Sequence, residues 1–367
     1  MRPKVKVAFW HFYTFRLLRG IETLIISLAN ALVNKGVDVS IVAAKATTKP
    51  LIPPDPRIKI HTFPTSRYYG HLLITPFYVD HFLRHRYDSV VTFFADFGEG
   101  RAWRVLNRFR EIPLAIYLCY PYSAVPHRYV SFRELQWELR ARHILADAKW
   151  IADEGREFFG RPVGVVPVGT DPDRFRPNPT MRGQFRRQLG FTENDVVLLN
   201  VSALERRKGT WRVIQAMSRL RGQFPQLRYF ILGEGRDEPE LQRLVDELQL
   251  RKEVIFGGTT QQLEAYYNMA DAFVMLPDAE GNSIACHEAM SCELPVVVSN
   301  TGGFIESVPS TAGFLLDPHN PEEIDTVLSK VISDPLVRWA KGQGGRAHIV
   351  RNYSWDKIAD RFLETIQ

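Results

Sequence analysis

Short apolar runs alternate along the chain with longer segments whose apolar residues recur at helical spacing. Runs rich in Val, Ile and Phe predict buried strands, whereas Leu24, Leu28 and Leu32 form one stripe of a predicted helix at 22–34. The alternation is typical of repeated β-α units, which build parallel sheets covered by helices. Predicted strands lie at 5–10, 37–43, 58–63, 89–95, 114–118, 196–202, 228–232, 253–256, 272–276, 295–299 and 313–316, and further predicted helices lie at 133–145, 211–220 and 239–248.

A proline-rich segment at 167–180 separates the two β-α series and is therefore a predicted domain linker. The length of 367 residues suits two domains of roughly 150–200 residues each. We therefore expect an α/β chain with two Rossmann-like domains facing a cleft, divided near residue 175. In such sheets, ligands bind beyond the carboxyl ends of the strands.

Composition excludes several classes of protein. With 45% hydrophobic and 24% charged residues, the chain is neither disordered nor fibrous. No apolar run approaches the roughly 18 residues that span a bilayer, and no signal-peptide cleavage site follows the N-terminal segment. Three cysteines without CxxC spacing argue against a disulfide or zinc framework and indicate a reducing compartment. We expect a cytoplasmic chain, with a peripheral position on an inner membrane face left open.

The net charge of +6 is unevenly distributed. Residues 1–180 hold 26 Lys and Arg against 16 Asp and Glu, which indicates an anionic partner for this half. If 100–110 is helical, three arginines share one face and interleave with apolar residues, a pattern that suits an anionic membrane surface. The residues are Arg101, Arg104 and Arg108, with Trp103, Leu106 and Phe109. A solvated helix face above a buried stripe is the alternative, and nucleic-acid binding has no recognisable motif.

Two glutamates, Glu280 and Glu288, stand seven residues apart in the segment 277–303. Between them, Gly281 permits a tight turn, and Asn282 or Ser283 can cap a helix. The N–H groups at the start of that helix would form an anion site. One carboxylate on each side of a bound diphosphate could hold a sugar-like diol. The alternative is an ordinary capped surface helix.

Three cations, Arg206, Arg207 and Lys208, precede a helix predicted from Thr210. Cations at a helix N-terminus are unfavourable, and a bound phosphate would remove that conflict. A solvated charge run is the alternative.

Several familiar fingerprints are missing. Gly233 and Gly235 follow a predicted strand, but Glu238 occupies the third glycine position of a dinucleotide-binding motif. The sequence also has no P-loop, HExxH or GxSxG motif. A dehydrogenase is therefore disfavoured.

Five segments in order resemble the retaining nucleotide-sugar glycosyltransferases of family 4, which have the GT-B fold. They are RGIE at the first helix, PVGTDPDRFRP at the linker, ILGEGRDEPELQRLVDELQLRKEVIFGG, EGNSIACHEAMSCELPVVVSNTGG with its E-x7-E spacing, and YSWDKIADRF. The last segment crosses back to the first domain in that family. The resemblance thus implies an acceptor-side domain of 1–175 with a returning helix at about 352–367, and a donor domain of 176–351.

The resemblance also implies individual roles. Lys208 would bind the donor diphosphate and stabilise it as it departs, so that no divalent metal is required. Glu280 would hold the hydroxyls of the transferred sugar, and Glu288 those of the nucleotide ribose. The remaining donor contacts would come from Gly20, Gly281, Asn282, Ser283 and Ile284.

This chain departs from the family pattern at three places. Ala203 or Ser202 stands near the position of a donor-site arginine, which Arg206 or Arg207 can replace. The GGxE segment has become RGIE, with Arg19 at the first glycine. Tyr120 occupies the place of a family histidine, and His127 is a candidate to replace it, although a surface histidine capping a loop is the alternative.

Together these features predict a metal-independent retaining glycosyltransferase without a cofactor. It would move a sugar from a UDP- or GDP-linked donor to a hydroxyl of a glycan or lipid-linked acceptor in cell-envelope or polysaccharide synthesis. A GT-B nucleotide-sugar epimerase and a nucleotide-sugar-binding module that has lost transfer remain alternatives. The missing arginine near Ala203 and the altered RGIE loop favour the binding module, whereas the cations at 206–208 and both glutamates argue against it.

Overall fold

The computed structural model describes residues 4–17, 20–65, 74–93, 97–119 and 140–366, with the backbone alone for 97–100. Arg19, Tyr120, His127 and the first part of the predicted helix at 133–145 lie outside these residues. The chain divides into two compact units. Unit 1 comprises Met1–Gly169 and Trp355–Gln367, and unit 2 comprises Thr170–Ser354. The sequence places the corresponding boundaries after residues 175 and 351.

Unit 1 is built on a seven-stranded parallel sheet with the order β3-β2-β1-β4-β5-β6-β7. Its strands are β1 Lys6–Trp10, β2 Asp38–Ala44, β3 Lys59–Phe63, β4 Ser89–Phe93, β5 Leu114–Leu118, β6 His143–Ala146 and β7 Gly164–Val165. Its helices are α1 Gly20–Asn34, α2 Thr75–Arg84, α3 Phe97–Leu106, α4 Lys149–Phe159 and, from the C-terminal segment, α13 Trp355–Ile366. Strands β4 and β5 are buried throughout, as strands covered by helices on both faces must be.

The C-terminal helix α13 completes the core of unit 1. It packs against α1, and the ring of Phe362 lies 6.0 Å from that of Phe9 on β1. Ile358, Ala359 and Phe362 are fully buried. The amphipathic spacing of these three residues therefore fixes which face of the helix meets the sheet.

Unit 2 is built on a six-stranded parallel sheet with the order β10-β9-β8-β11-β12-β13. The strands are β8 Val196–Val201, β9 Leu227–Leu232, β10 Val254–Phe256, β11 Ala272–Met275, β12 Val296–Ser299 and β13 Gly313–Leu316. The helices are α5 Pro179–Gln188, α6 Thr210–Leu220, α7 Glu238–Glu247, α8 Leu263–Met269, α9 Ile284–Ser291, α10 Phe304–Ser307, α11 Pro321–Ser333 and α12 Pro335–Asn352. The predicted α/β class with two parallel sheets is thus confirmed.

The strand order of unit 2 reverses direction between β8 and β11. From β8 the chain moves outward to β9 and β10, and it then returns to the other side of β8 with β11. The connections that leave β8 and β11 therefore diverge at their carboxyl ends. This switch point is where open α/β sheets bind ligands.

The structure corrects two sequence predictions in unit 1. The predicted helix at 133–145 is wrong at its carboxyl end, where His143–Ala146 forms a strand. This strand pairs in parallel with β5, and the pairing satisfies its backbone hydrogen bonds. The predicted helix at 100–110 ends at Leu106, so that Arg108 lies beyond it. None of the helices in the described ranges combines the length and apolar character that a bilayer crossing requires.

Candidate active site

The loops that follow β8 and β11 bring Lys208 and Glu280 together. The Lys208 ammonium donates to Oε2 of Glu280 at 2.6 Å, although 72 residues separate the two positions along the chain. Both side chains are largely buried, with 11% and 15% of their surfaces exposed. An ion pair at the carboxyl edge of the sheet is thus available to a ligand that carries both negative charge and hydroxyl groups.

Close backbone packing holds the two loops in register. Gly209 has φ +72°, and a Cβ at this position would lie 1.7 Å from the carbonyl oxygen of Leu276. The buried guanidinium of Arg212 donates to the same carbonyl at 3.0 Å and pairs with Asp278. The Asp278 N–H donates to the carbonyl of Arg207 at 3.0 Å. Glycine at 209 and arginine at 212 therefore position the segment that leads to Glu280.

Helix α9 begins at the predicted anion site. Ser283 is its N-cap, and its hydroxyl accepts a hydrogen bond from the N–H of Cys286 at 3.3 Å. Asn282 and Ser283 are buried, and Ile284 is the first helical residue. The partial positive charge of the helix dipole lies at this end and favours a bound anion.

The turn before α9 packs tightly against the loop after β12. A Cβ at Gly303 would lie 2.1 Å from the carbonyl oxygen of Gly281. The Gly303 N–H also donates to the carbonyl of Glu280 at 3.1 Å. This contact fixes the backbone on the carboxyl side of Glu280.

Glu288 lies on the second turn of α9 and is buried. The Tyr267 hydroxyl on α8 donates to its Oε2 at 2.8 Å. Burial raises the pKa of the Glu288 carboxyl to about 7, and the Tyr267 hydrogen bond and the charge of Arg174 act in the opposite direction. A carboxyl group of this kind changes its ionisation near neutral pH.

The two arginines that could replace the missing family arginine contact other groups. Arg206 is exposed, pairs with Glu240 at 3.0 Å, and lies over the ring of Trp211 at 5.1 Å. Arg207 is half-buried and donates to Glu205 at 2.8 Å. Their predicted roles stay predictions.

The remaining predicted residues lie elsewhere. Gly20 is the first residue of α1 in unit 1, and a Cβ there would meet no atom within 4 Å. His127 lies outside the described residues. The roles assigned to both also stay predictions.

The sequence analysis did not identify two glycines and a tyrosine that support the site. A Cβ at Gly233 would lie 1.9 Å from the carbonyl oxygen of Ser202, and one at Gly235 would lie 2.2 Å from that of Leu204. These glycines, interpreted only as a failed dinucleotide fingerprint, allow the loops after β8 and β9 to touch. No sequence pattern pointed to Tyr267, because the Glu288 carboxylate that it contacts lies on another helix.

Two family models match consecutive parts of the chain. The model described as "Glycosyltransferase Family 4" matches residues 18–174, and the one described as "Glycosyl transferases group 1" matches residues 181–348. The second match contains the Lys208–Glu280 pair and Glu288.

Two curated relatives are named as mannosyltransferases. The chain is 32% identical to a GDP-mannose-dependent alpha-(1-6)-phosphatidylinositol monomannoside mannosyltransferase from Mycolicibacterium smegmatis. It is 30% identical to a GDP-mannose-dependent monoacylated alpha-(1-6)-phosphatidylinositol monomannoside mannosyltransferase from Corynebacterium glutamicum. Each match covers 55% of this chain and 55% of the relative, so that the chain spans about half the length of the curated relatives it matches.

The fold is also similar to that of solved structures. The Anabaena protein HepE, in complex with UDP and glucose, superposes with a TM-score of 0.81 at 19% identity, over 99% of both chains. This likeness concerns the fold alone. The two consecutive family matches and the fold together show that the chain belongs to the group 1 glycosyltransferases with the GT-B fold.

Proposed function

We propose that this chain transfers a sugar from a nucleoside diphosphate sugar to a hydroxyl group of a glycan or lipid-linked acceptor. The observation that carries the proposal is the Lys208–Glu280 pair at the switch point of the unit 2 sheet, ahead of a helix that carries a buried Glu288. A diphosphate needs a cation and backbone N–H groups, whereas sugar and ribose hydroxyls need carboxylate oxygens. The described site offers all three within loops fixed by backbone packing.

In the proposed reaction, the bond between the sugar C1 and the diphosphate oxygen breaks as the acceptor oxygen bonds to C1. Negative charge then builds up on the departing diphosphate, where Lys208 and the start of α9 stabilise it. Attack on the face from which the diphosphate leaves retains the configuration at C1. The acceptor proton passes to the departing phosphate oxygen, so that the step needs no dedicated nucleophile.

The proposed donor is GDP- or UDP-linked. The relatives named above are GDP-mannose-dependent, whereas the similar fold was solved with UDP and glucose. The relatives' names specify phosphatidylinositol mannosides, which supports a lipid-linked acceptor. We further propose that stabilisation by Lys208 makes a divalent metal unnecessary, so that activity should persist in excess chelator.

We also propose that unit 1 contacts an anionic membrane surface. Arg101, Arg104 and Arg108 are exposed, and Phe109 beside them has 71% of its surface exposed. The interleaved apolar face that the sequence predicts is wrong for two of its three residues, which form the buried stripe of the alternative interpretation. Trp103 and Leu106 are buried in the core, because α3 directs them against the sheet. The proposed contact therefore rests on the three arginines and Phe109.

Calorimetric titration of GDP, UDP and ADP, followed by a sugar-transfer assay, tests the proposed function. One nucleotide should bind to the wild type without metal, and Lys208→Ala should weaken that binding by at least about tenfold, since it removes a charge-assisted contact. Glu288→Ala should weaken it similarly. Glu322→Ala, an exposed position on α11, serves as the matched control.

Three outcomes would contradict parts of this proposal. If no nucleotide binds, or if all variants bind alike, the site assignment is wrong. If the donor sugar is converted without acceptor, the chain is an epimerase. If nucleotide binds and no candidate sugar is transferred or converted, the chain is a binding module.

A further inference from the structure

The hydrogen bond between Tyr267 and Glu288 joins two helices inside unit 2. Tyr267 on α8 is fully buried, and its ring packs edge-on against Phe175 at 5.7 Å and beside Phe273 at 6.4 Å. Its hydroxyl donates to Oε2 of Glu288 at 2.8 Å. Because packing fixes the ring, the phenol oxygen has a defined position, and the carboxylate is oriented by it.

One oxygen of the carboxylate is thereby left for a ligand. Among the residues that the structure describes, only Tyr267 donates a hydrogen bond to the Glu288 carboxylate, and it does so at Oε2. A carboxylate with one oxygen held by a buried phenol presents the other in a fixed direction. Such an oxygen is suited to accept a hydrogen bond from a ligand hydroxyl.

The charged and titratable groups around Glu288 come from three parts of unit 2. Tyr267 and Glu264 face it from α8, Arg174 faces it from the segment before α5, and Cys292 lies at the end of its own helix. Burial and the Glu264 charge raise the pKa of Glu288, whereas the Tyr267 hydrogen bond and Arg174 lower it. Arg174 also pairs with Glu264 at 3.1 Å, so that its charge is shared. The phenol is therefore the nearest group that favours the ionised carboxylate.

We infer that Tyr267 is a positioning residue for nucleotide binding, which keeps Glu288 oriented and ionised so that its free oxygen can accept a hydroxyl of the donor. The inference rests on the proposed function, because it takes Glu288 as the carboxylate that meets the nucleotide. It adds a residue that would not touch the ligand. It also makes binding sensitive to pH.

Binding should depend on pH because the ionised form of the Glu288 carboxyl is the one that binds the ligand hydroxyl. Binding to the wild type should weaken as the pH falls through about 7, the pKa of Glu288, and should be constant at higher pH. Tyr267→Phe removes a hydrogen bond to the charged form, which raises the pKa of Glu288 further. The midpoint of the binding curve should therefore move to higher pH. We expect about tenfold weaker binding than wild type at pH 6.5 and less than twofold at pH 9, since one unit of pKa is a factor of ten.

The test is calorimetric titration with the nucleoside diphosphate that the wild type binds, at six pH values from 6 to 9. Tyr266→Phe is the matched control, because Tyr266 is the adjacent residue of α8 and its ring packs against Phe185 and Phe230 instead. It should reproduce the wild-type curve. Glu288→Gln should bind weakly and retain only the shallow pH dependence of the ligand's own terminal phosphate, whose second pKa lies near about 6.

Each other outcome has a defined meaning. A curve for Tyr267→Phe identical to that of the wild type overturns the positioning role, while nucleotide binding stands. A uniform loss at all pH values without a shift of the midpoint overturns the claim that the phenol keeps the Glu288 carboxylate ionised. A wild-type pH dependence retained in Glu288→Gln also overturns it, because another group then titrates. If the wild type binds no nucleotide, the proposed function fails first and this inference falls with it.

Discussion

Lys208 and Glu280 form an ion pair with each other in the structure. An ammonium and a carboxylate at 2.6 Å with little exposed surface are both desolvated, so that neither is favourable alone. A nucleoside diphosphate would compete with Glu280 for the lysine, whereas the donor sugar would take the carboxylate. The two residues of the pair would therefore contact two different parts of one ligand, its diphosphate and its sugar.

Glu280→Gln separates these two contributions. The neutral amide holds Lys208 less strongly, so that the affinity for the nucleoside diphosphate alone should stay equal or rise by up to about tenfold. Sugar transfer should fall by at least about a hundredfold, because a charged contact to the sugar hydroxyls is lost. Titration and a transfer assay on the same preparation measure both effects.

Glu240→Gln is the control for this change, because Glu240 pairs with the exposed Arg206 and not with Lys208. It should leave sugar transfer near wild type, and any change in affinity would report the predicted donor contact of Arg206. Weaker nucleoside diphosphate binding in Glu280→Gln would mean that the carboxylate helps to hold Lys208 in place and does not compete with the ligand.

At the scale of elements, the site depends on loops that touch through their backbones. The loops after β8 and β11 meet at Gly209, and the loops after β11 and β12 meet at Gly303. Side chains at these positions would separate loops that belong to different β-α units. The three loops therefore form one continuous edge of the sheet, although they lie within a stretch of about a hundred residues.

Gly209→Ala tests this packing. The new Cβ would lie 1.7 Å from the Leu276 carbonyl oxygen, and the residue would keep a φ of +72° that favours glycine. We expect a loss of about 2–4 kcal/mol in the free energy of unfolding of unit 2, and weaker nucleotide binding because Lys208 and Glu280 move apart. Urea unfolding and titration report the two effects.

Gly222→Ala is the matched control, because a Cβ there would meet no atom within 4 Å. It should change the free energy of unfolding by less than about 0.5 kcal/mol. If Gly209→Ala behaves like this control, the close approach of the two loops does not govern the site.

At the scale of the whole molecule, the proposed membrane contact places three exposed arginines in the more basic half of the chain. We expect a triple variant to co-sediment much less with vesicles that contain about 30% anionic lipid, since each cation near the surface contributes about 1 kcal/mol. The variant combines Arg101→Glu, Arg104→Glu and Arg108→Glu. The wild-type interaction should weaken with salt, because exposed charges are screened.

A second triple variant controls for the change in net charge. Arg236, Arg243 and Arg251 are exposed residues of unit 2, and their replacement by Glu changes the charge equally. This variant should sediment like the wild type. Equal loss in both triple variants would indicate attraction by net charge alone, and no loss in either would remove the proposed membrane contact.

The sequence predicted most of the fold of both units. Its apolar runs located β1 to β5 and all six strands of unit 2 within about two residues, because buried parallel strands appear in the sequence as continuous hydrophobic segments. It missed β7, which has two residues, and it interpreted the approach to β6 as helix. Such short strands are specified by their partners in the sheet and not by their own pattern.

The sequence by itself determined the α/β class, the order of the β-α units and the residue types of the candidate site. Local periodicity and turn chemistry carry that information, and E-x7-E spacing marks the helix that bears Glu288. Only the tertiary structure decided that Lys208 meets Glu280, that Tyr267 holds Glu288, and that Trp103 and Leu106 are buried. These contacts depend on which strands are neighbours in the sheet and which helix faces pack, and no local stretch of sequence encodes either.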